Sequence, residues 1–187
     1  MKKIALLLMC VVISCSAFAQ DKKFTFGPKV AVSLSNVWGV SGHDAIIGYK
    51  AGLFAEYRAT SLIAIAPELM FSAQGTKWKE DGDKATNHIN YITLPIMAKF
   101  YVSKGLSVDF GPELGYAMFN HLDGTKIDSD LYKKFNFGLG LGLSYNVSRF
   151  VIDARYNLGL TKIYKTSADS ESKAKNYDIE VGVGYRF

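Results

Sequence analysis

The stretch Tyr177-Asp178-Ile179-Glu180-Val181-Gly182-Val183-Gly184-Tyr185-Arg186-Phe187 closes the chain. Tyr177, Ile179, Val181, Val183, Tyr185 and Phe187 occupy one set of alternate positions; Asp178, Glu180, Gly182, Gly184 and Arg186 occupy the other. Side chains on a strand alternate between its two faces, so this segment reads as a strand with one apolar, aromatic face and one charged or bare face. The face with the large side chains has no charge on it. The face with the charges also carries the glycines.

Working outward, the same pattern recurs. The first strand sets Phe24, Phe26, Val30, Val32 and Leu34 against Thr25, Gly27, Lys29, Ala31 and Ser33, and the second sets Tyr49, Ala51, Leu53, Ala55 and Tyr57 against Lys50, Gly52, Phe54 and Glu56. The third points Ile63, Ile65, Leu69 and Phe71 away from Glu68, Ser72 and Gln74; the fourth opposes Ile92, Leu94, Ile96, Ala98 and Phe100 to Thr93, Met97 and Lys99. The fifth sets Val108, Phe110, Leu114 and Tyr116 against Asp109, Glu113 and Gly115. The sixth alternates Phe135 through Tyr145 with Lys134, Asn136, three glycines and Ser144; the seventh alternates Phe150 through Leu158 with Asp153, Arg155 and Asn157. With the closing segment this makes eight strands.

The distribution of charge decides between two kinds of barrel. A soluble barrel is apolar inside and polar outside. Here small and charged residues share the face that suits a narrow interior, and bulky apolar residues share the face that suits lipid. The connections agree. Residues 58–61, 102–105 and 146–149 are tight turns, whereas 39–46, 79–87, 120–133 and 163–175 are long and polar. Short turns on one side and long loops on the other are the habit of a bacterial outer-membrane barrel, with both termini in the periplasm. The fold expected is therefore an all-β, eight-stranded antiparallel up-and-down transmembrane barrel. It must be closed, because an open sheet edge is not tolerated in lipid.

The N-terminus points to the same compartment. Lys2 and Lys3 precede an apolar run, 4–13, that is too short to span a bilayer, and Ala17-Phe18-Ala19 is a small-residue cleavage site. Residues 1–19 are read as a signal peptide and 20–187 as the barrel domain. A competing reading takes Val12-Ile13-Ser14-Cys15 as a lipobox with Cys15 lipidated. Cys10 and Cys15 are the only cysteines, so cleavage before Gln20 leaves no disulfide, thiolate nucleophile or thiolate metal site. The formal charge of +5 falls to +3 without Lys2 and Lys3, and no basic run suggests nucleic acid.

Pro28, Pro67, Pro95 and Pro112 all fall inside these strands. Proline donates nothing to a ladder, and a closed barrel has no free edge to hold it, so bulges or missing bonds are expected there.

Together these pieces resemble the PorT-like outer-membrane β-barrel proteins, a family of the outer membrane protein beta-barrel domain. The resemblance rests on Lys29 with Ser33-Leu34-Ser35-Asn36, on Gly52-Leu53-Phe54-Ala55-Glu56-Tyr57 and on Pro67-Glu68-Leu69. Leu94-Pro95-Ile96 with Lys99, Gly111-Pro112, Arg155-Tyr156-Asn157-Leu158-Gly159-Leu160 and Gly184-Tyr185-Arg186-Phe187 complete it. It implies an eight-stranded barrel with proline at these places, and it implies no reaction. Some relatives are linked to protein secretion.

Three constellations are candidates for function. The inward face predicts an interior ion-pair network of Lys29, Lys50, Glu56, Glu68, Lys99, Asp109, Glu113, Asp153, Arg155, Glu180 and Arg186, with Lys134 and Asp178 on the same face. An eight-stranded barrel is just wide enough to be filled by side chains, so this network is expected to plug it, with a narrow channel as the alternative. His43, His88 and His121 fall in or beside three of the polar loops, where an outer-rim lipid-modifying enzyme would keep its base. The loops themselves are candidate binding elements for lipopolysaccharide or an extracellular ligand. Tyr185 and Phe187 form the expected signal to the barrel-assembly machinery. No catalytic residue, metal site or cofactor is assigned. The reading is a small outer-membrane barrel with a structural or loop-binding role.

Overall fold

The computed structural model describes residues 23–38, 43–80, 83–122, 125–126, 135–161 and 175–187. The expected signal peptide, both cysteines and the lipobox lie outside the described residues. So does most of 163–175.

The strands are β1 (Phe24–Trp38), β2 (His43–Arg58), β3 (Ile63–Glu80), β4 (Asp83–Tyr101), β5 (Leu106–Leu122), β6 (Thr125–Lys126), β7 (Phe135–Val147), β8 (Phe150–Gly159) and β9 (Lys175–Tyr185). Each pairs antiparallel with its neighbour, and β1 pairs with β9 to close the wall. β6 is a two-residue addition to the end of β5, through His121↔Lys126 and Leu122↔Thr125. The next strand in the wall, β7, pairs with β5 directly, so eight strands make the barrel. The described residues contain no helix.

Burial follows the alternation and is inverted relative to a soluble protein. Leu141 is 55 % exposed, while Arg155, on the strand beside it, is 3 % exposed. In water such an outer wall would be a large apolar patch; in lipid it is the favourable surface. Strand ends carry aromatic contacts. Tyr116 meets Phe135 edge-on near the loop end, and Phe150 meets Tyr185 edge-on near the turn end.

The turns are short and locally specified. Thr60 Oγ1 accepts from the backbone N–H groups of Leu62 (3.2 Å) and Ile63 (3.0 Å), closing 59–62. Gly105, at φ 92°, ends the turn 102–105 in the left-handed region that glycine enters without a Cβ penalty. Ser148 takes φ 54° in the two-residue turn before β8.

Pro67, Pro95 and Pro112 interrupt pairing without changing register, whereas Pro28 pairs with Leu53 in an unbroken ladder. The β2–β3 ladder passes from Phe54↔Glu68 to Tyr57↔Ile65 around Pro67. The β3–β4 ladder passes from Pro67↔Ile96 to Met70↔Thr93, and the β4–β5 ladder from Pro95↔Glu113 to Ala98↔Phe110. The bulges lie elsewhere, between Ala45 and Tyr49 of β2 and between Asn90 and Tyr91 of β4. Gly111, next to Pro112, fits only because it lacks a side chain: a Cβ would stand 2.0 Å from the Ile96 carbonyl oxygen.

The expected loops need one correction. About 9–11 tilted residues span a bilayer as a strand. β8 and β9 have 10 and 11 residues, but β3 and β4 have 18 and 19. Residues 79–80 and 83–87, read as loop, belong to β3 and β4; 43–46 belong to β2; 120–122 belong to β5. The apolar stripe marks where lipid ends, and an antiparallel ladder continues past it because its hydrogen bonds do not depend on an apolar face. Strands β2 to β5, of 16 to 19 residues, therefore extend beyond the apolar band.

Candidate functional site

The inward side chains of the wall converge on the axis in three connected groups. At the turn end, Lys99 Nζ lies 3.4 Å from Glu56 Oε2 and 3.8 Å from Asp109 Oδ2. Tyr101 donates to Glu56 Oε1 at 2.5 Å, and the Ser107 hydroxyl to Asp109 Oδ1 at 2.6 Å; Ser144 also donates to Asp109. Arg58 covers this group from the rim, 3.5 Å from Glu56 and 4.0 Å above the Tyr101 ring.

In the middle, Glu68 is shared by two cations. Arg155 Nη2 reaches Oε1 at 2.7 Å and Nη1 reaches Oε2 at 3.3 Å, while Lys29 Nζ lies 3.2 Å from Oε2. Lys29 also holds Asp153 at 2.9 Å, and Arg155 reaches Glu180 at 3.5 Å.

Toward the loop end, Lys50 Nζ sits 2.8 Å from Asp178 Oδ2 and 2.5 Å from Glu180 Oε2. Asn157 Nδ2 donates to the same two carboxylates, at 3.1 and 3.2 Å. Glu113 stands beside this group, with Lys50, Asp178, Glu180 and Arg155 as its charged surroundings.

The sequence pattern explains how these groups fit. Bare positions leave room for long side chains from neighbouring strands. A Cβ on Gly140 would meet Arg155 Cδ at 3.2 Å and Met97 Cε at 3.3 Å; one on Gly182 would meet Lys29 Cε at 3.0 Å. Apolar side chains fill the remainder, with Met97 fully buried and Phe54, Met70 and Tyr91 nearly so. The spaces left beside Glu68 and beside Glu113 are of the size of a water.

The charges of these three groups are paired, because an unpaired one in a low-dielectric interior is costly, and Glu113 alone beside them has no ion pair among the described residues. The geometry brings together Lys29, Lys50, Glu56, Glu68, Lys99, Asp109, Asp153, Arg155 and Glu180. It does not bring in Arg186, whose guanidinium bonds the Ser148 carbonyl at 2.5 Å at the exposed turn end. Arg186 lies beyond Phe150↔Tyr185, the last rung of β8 and β9. Lys134 lies outside the described residues. Tyr101 is a member the sequence reading missed. The signal was present, since Tyr101 continues the parity of Lys99, but the strand is read from sequence only as far as Phe100.

At the C-terminus Phe187 packs on Phe26, with centroids 5.7 Å apart, and edge-on against Tyr185 at 5.2 Å; its N–H donates to the Phe26 carbonyl at 2.9 Å. Arg149 donates to the Tyr185 hydroxyl at 3.1 Å. Of the histidines only backbone placement is described. His88 and His121 are direct partners across β4 and β5, whereas His43 is two strands from His88 and opposite Trp78. Among the described residues no group of three or more His, Cys, Asp or Glu is placed to hold a metal ion.

An inverted eight-stranded barrel with an ion-paired core is a small bacterial outer-membrane protein. The profile of the family described as "Outer membrane protein beta-barrel domain" matches residues 18–165, and the chain belongs to that family. Solved structures share the fold. The attachment invasion locus protein Ail of Yersinia pestis aligns with TM-score 0.53 and 19 % identity over 88 % of this chain and 99 % of its own. Ail in complex with the heparin analogue sucrose octasulfate aligns with TM-score 0.54 and 18 % identity over 88 % and 99 %. Neisserial surface protein A aligns with TM-score 0.54 and 15 % identity over 89 % and 98 %. A comparison with curated proteins gave no match.

Proposed function

We propose that this barrel anchors a binding surface at its loop end and neither catalyses a reaction nor conducts. The filled lumen carries this reading. Every level of the axis is crossed by buried ion pairs, from Glu56–Lys99 through Glu68–Arg155 to Lys50–Asp178. A solute would have to displace them. The apolar wall is committed to lipid, and the turns are too short to form a site. The long strands β2 to β5 remain, carrying their connections beyond the apolar band. Loops on a rigid scaffold are the usual place for binding.

In this reading both termini face the periplasm. The loop end meets lipopolysaccharide and an extracellular ligand. Tyr185 and Phe187 engage the barrel-assembly machinery. The sulfated-sugar complex of Ail supports a search for such a ligand. The motifs from Lys29 to Phe187 support kinship with the PorT-like branch.

One observation favours a second reading. His88 and His121 are direct backbone partners across β4 and β5. An outer-rim enzyme acting on lipid would need at least one of them. Shortening each loop connection, and separately changing His43, His88 and His121 to alanine, tests both readings against the phenotype of cells lacking the protein. Loss of function with the loops and not with the histidines supports binding. Loss from a single histidine change with the loops dispensable replaces it with the enzyme.

A further inference from the structure

Two arginines are crossed at the turn end of the seam between β8 and β9. Arg149, in the turn before β8, donates to the hydroxyl of Tyr185 on β9 at 3.1 Å. Arg186, just after β9, donates to the carbonyl of Ser148 in that same turn, and its backbone N–H donates to the Arg149 carbonyl at 2.7 Å. Both side-chain partners are neutral. A guanidinium carries five N–H groups, so each is aimed by one contact and has donors to spare. Among the described residues neither arginine has an ion pair, and no exposed Asp or Glu side chain shares this end of the barrel. Glu56 and Asp109, the carboxylates nearest to it, are buried in the lumen with Lys99. Two like charges tied together with nothing of opposite sign beside them favour an external anion.

The surface next to them is apolar. Tyr185 shares the parity of the exposed Val181 and Val183, so it belongs to the outward face. Its ring meets Phe150 at 5.4 Å and Phe187 at 5.2 Å, and Phe187 meets Phe26 at 5.7 Å. Held on the Tyr185 hydroxyl, Arg149 is on the lipid side of the wall, at the edge of an aromatic patch. One step further from the turn end, Ile152, Val183 and Val30 form a row across β8, β9 and β1, all exposed. An amphiphile uses both halves, its anion at the arginines and its hydrocarbon along the row. A soluble anion leaves the apolar half idle.

We propose that this seam binds an anionic glycerophospholipid of the leaflet that meets the turn end, with its phosphate on Arg149 and Arg186 and its acyl chains over Phe150, Tyr185 and the row beyond. The planar fork of arginine matches phosphate oxygens, and basic residues at a membrane surface draw anionic headgroups.

The test counts the lipid that stays with the refolded barrel. Protein in an uncharged detergent is mixed with equal amounts of phosphatidylglycerol and phosphatidylcholine of the same acyl chains. Gel filtration follows, and the co-eluting lipid is counted by mass spectrometry. The wild type is expected to prefer phosphatidylglycerol, roughly fivefold for each arginine. Arg149→Gln and Arg186→Gln should each lose about one such factor, and the double variant should show no preference. Lys104→Gln removes an exposed cation from the turn between β4 and β5, across the barrel, and should keep the wild-type ratio. Equal retention by the wild type, a double variant that keeps the preference, or the same loss in Lys104→Gln would each overturn the proposal. Release of the phosphatidylglycerol by excess inorganic phosphate at constant ionic strength would overturn it too, leaving a site for a free anion. Melting of every variant is followed alongside, and the two single changes decide the matter if the double variant does not fold.

Discussion

Arg155 grips Glu68 with both terminal nitrogens, Nη2 to Oε1 at 2.7 Å and Nη1 to Oε2 at 3.3 Å, between residues 87 positions apart in sequence. The fork joins β8 to β3 across the lumen, between strands that do not pair in the wall. Such a two-point contact fixes direction as well as distance, which a lysine cannot do. Glu180 and Lys29 extend it to β9 and β1.

Removing one partner of a buried pair leaves the other charged and unpaired. Arg155→Met is expected to destabilise the barrel by about 3–5 kcal/mol. Glu68→Gln added to it should recover part of the loss, because the stranded charge is then gone. Urea unfolding in lipid vesicles measures both. The wild type and Arg155→Met should both give no stepwise current in planar bilayers, since Met97, Phe54 and the other ion pairs still fill the axis.

The outer face makes the opposite demand. Leu53 and Leu141 are exposed among apolar neighbours, Leu53 opposite Leu69 and Leu141 between Phe110 and Tyr156. A charge there faces hydrocarbon. Leu53→Arg and Leu141→Arg should each cost about 2–4 kcal/mol near the midplane, read from the same unfolding curves. Folding of both variants at wild-type stability would reverse the assignment of faces.

How much of this was legible depends on what each residue's position reports. Parity along a strand is strictly local, so Lys29, Glu68 and Arg155 could be placed inside from their immediate neighbours. Which of them meet is not local. Seven carboxylates share the inward face with Arg155, and shear and strand tilt selected Glu68 and Glu180. Strand ends were misread for a different reason. Residues such as Thr76 and Lys77 pair with Asn87 and Thr86 as rungs of a ladder above the apolar stripe, where no hydrophobic period marks them. The prolines showed where pairing would fail, but not that register would survive, since a skipped rung and a bulge leave the same mark in sequence.

Packing inside the lumen gives a third expectation. Phe54 turns inward near the turn end, and a Cβ on Gly184 would stand 2.7 Å from its ring. Gly184→Ala should cost about 1–3 kcal/mol through overpacking, and Phe54→Ala in the same chain should relieve it. A double-mutant cycle showing no coupling between the two would deny the contact.

The C-terminal aromatic separates assembly from stability. Phe187 is 62 % exposed and touches Phe26 and Tyr185 at the surface. Its removal takes little from the folded wall. Phe187→Ala is expected to melt within about 1 kcal/mol of the wild type, the scale of one aromatic pair, once folded in detergent. It should nevertheless accumulate poorly in the outer membrane of cells. Normal accumulation would remove the assembly role.

Orientation is the last expectation, and it decides whether the loop end has access to anything outside the cell. The termini and the short turns share one end: Arg58 N–H donates to the Lys23 carbonyl at 2.7 Å, and Arg186 N–H to the Arg149 carbonyl at 2.7 Å. In the proposed reading the chain inserts from the periplasm and keeps its termini there, because moving them through the bilayer would drag charges such as Lys23 and Arg186 across hydrocarbon. An epitope inserted between Ala59 and Thr60 should therefore be hidden from antibody on intact cells and appear on permeabilisation. The same epitope inserted between Ser170 and Glu171 should be labelled on intact cells. The turn is short and the insertion near Ser170 lies outside the described strands, so melting of each tagged barrel is measured alongside. If folded protein shows the reverse labelling, the loop end faces the periplasm, and the partner of this barrel is to be sought there.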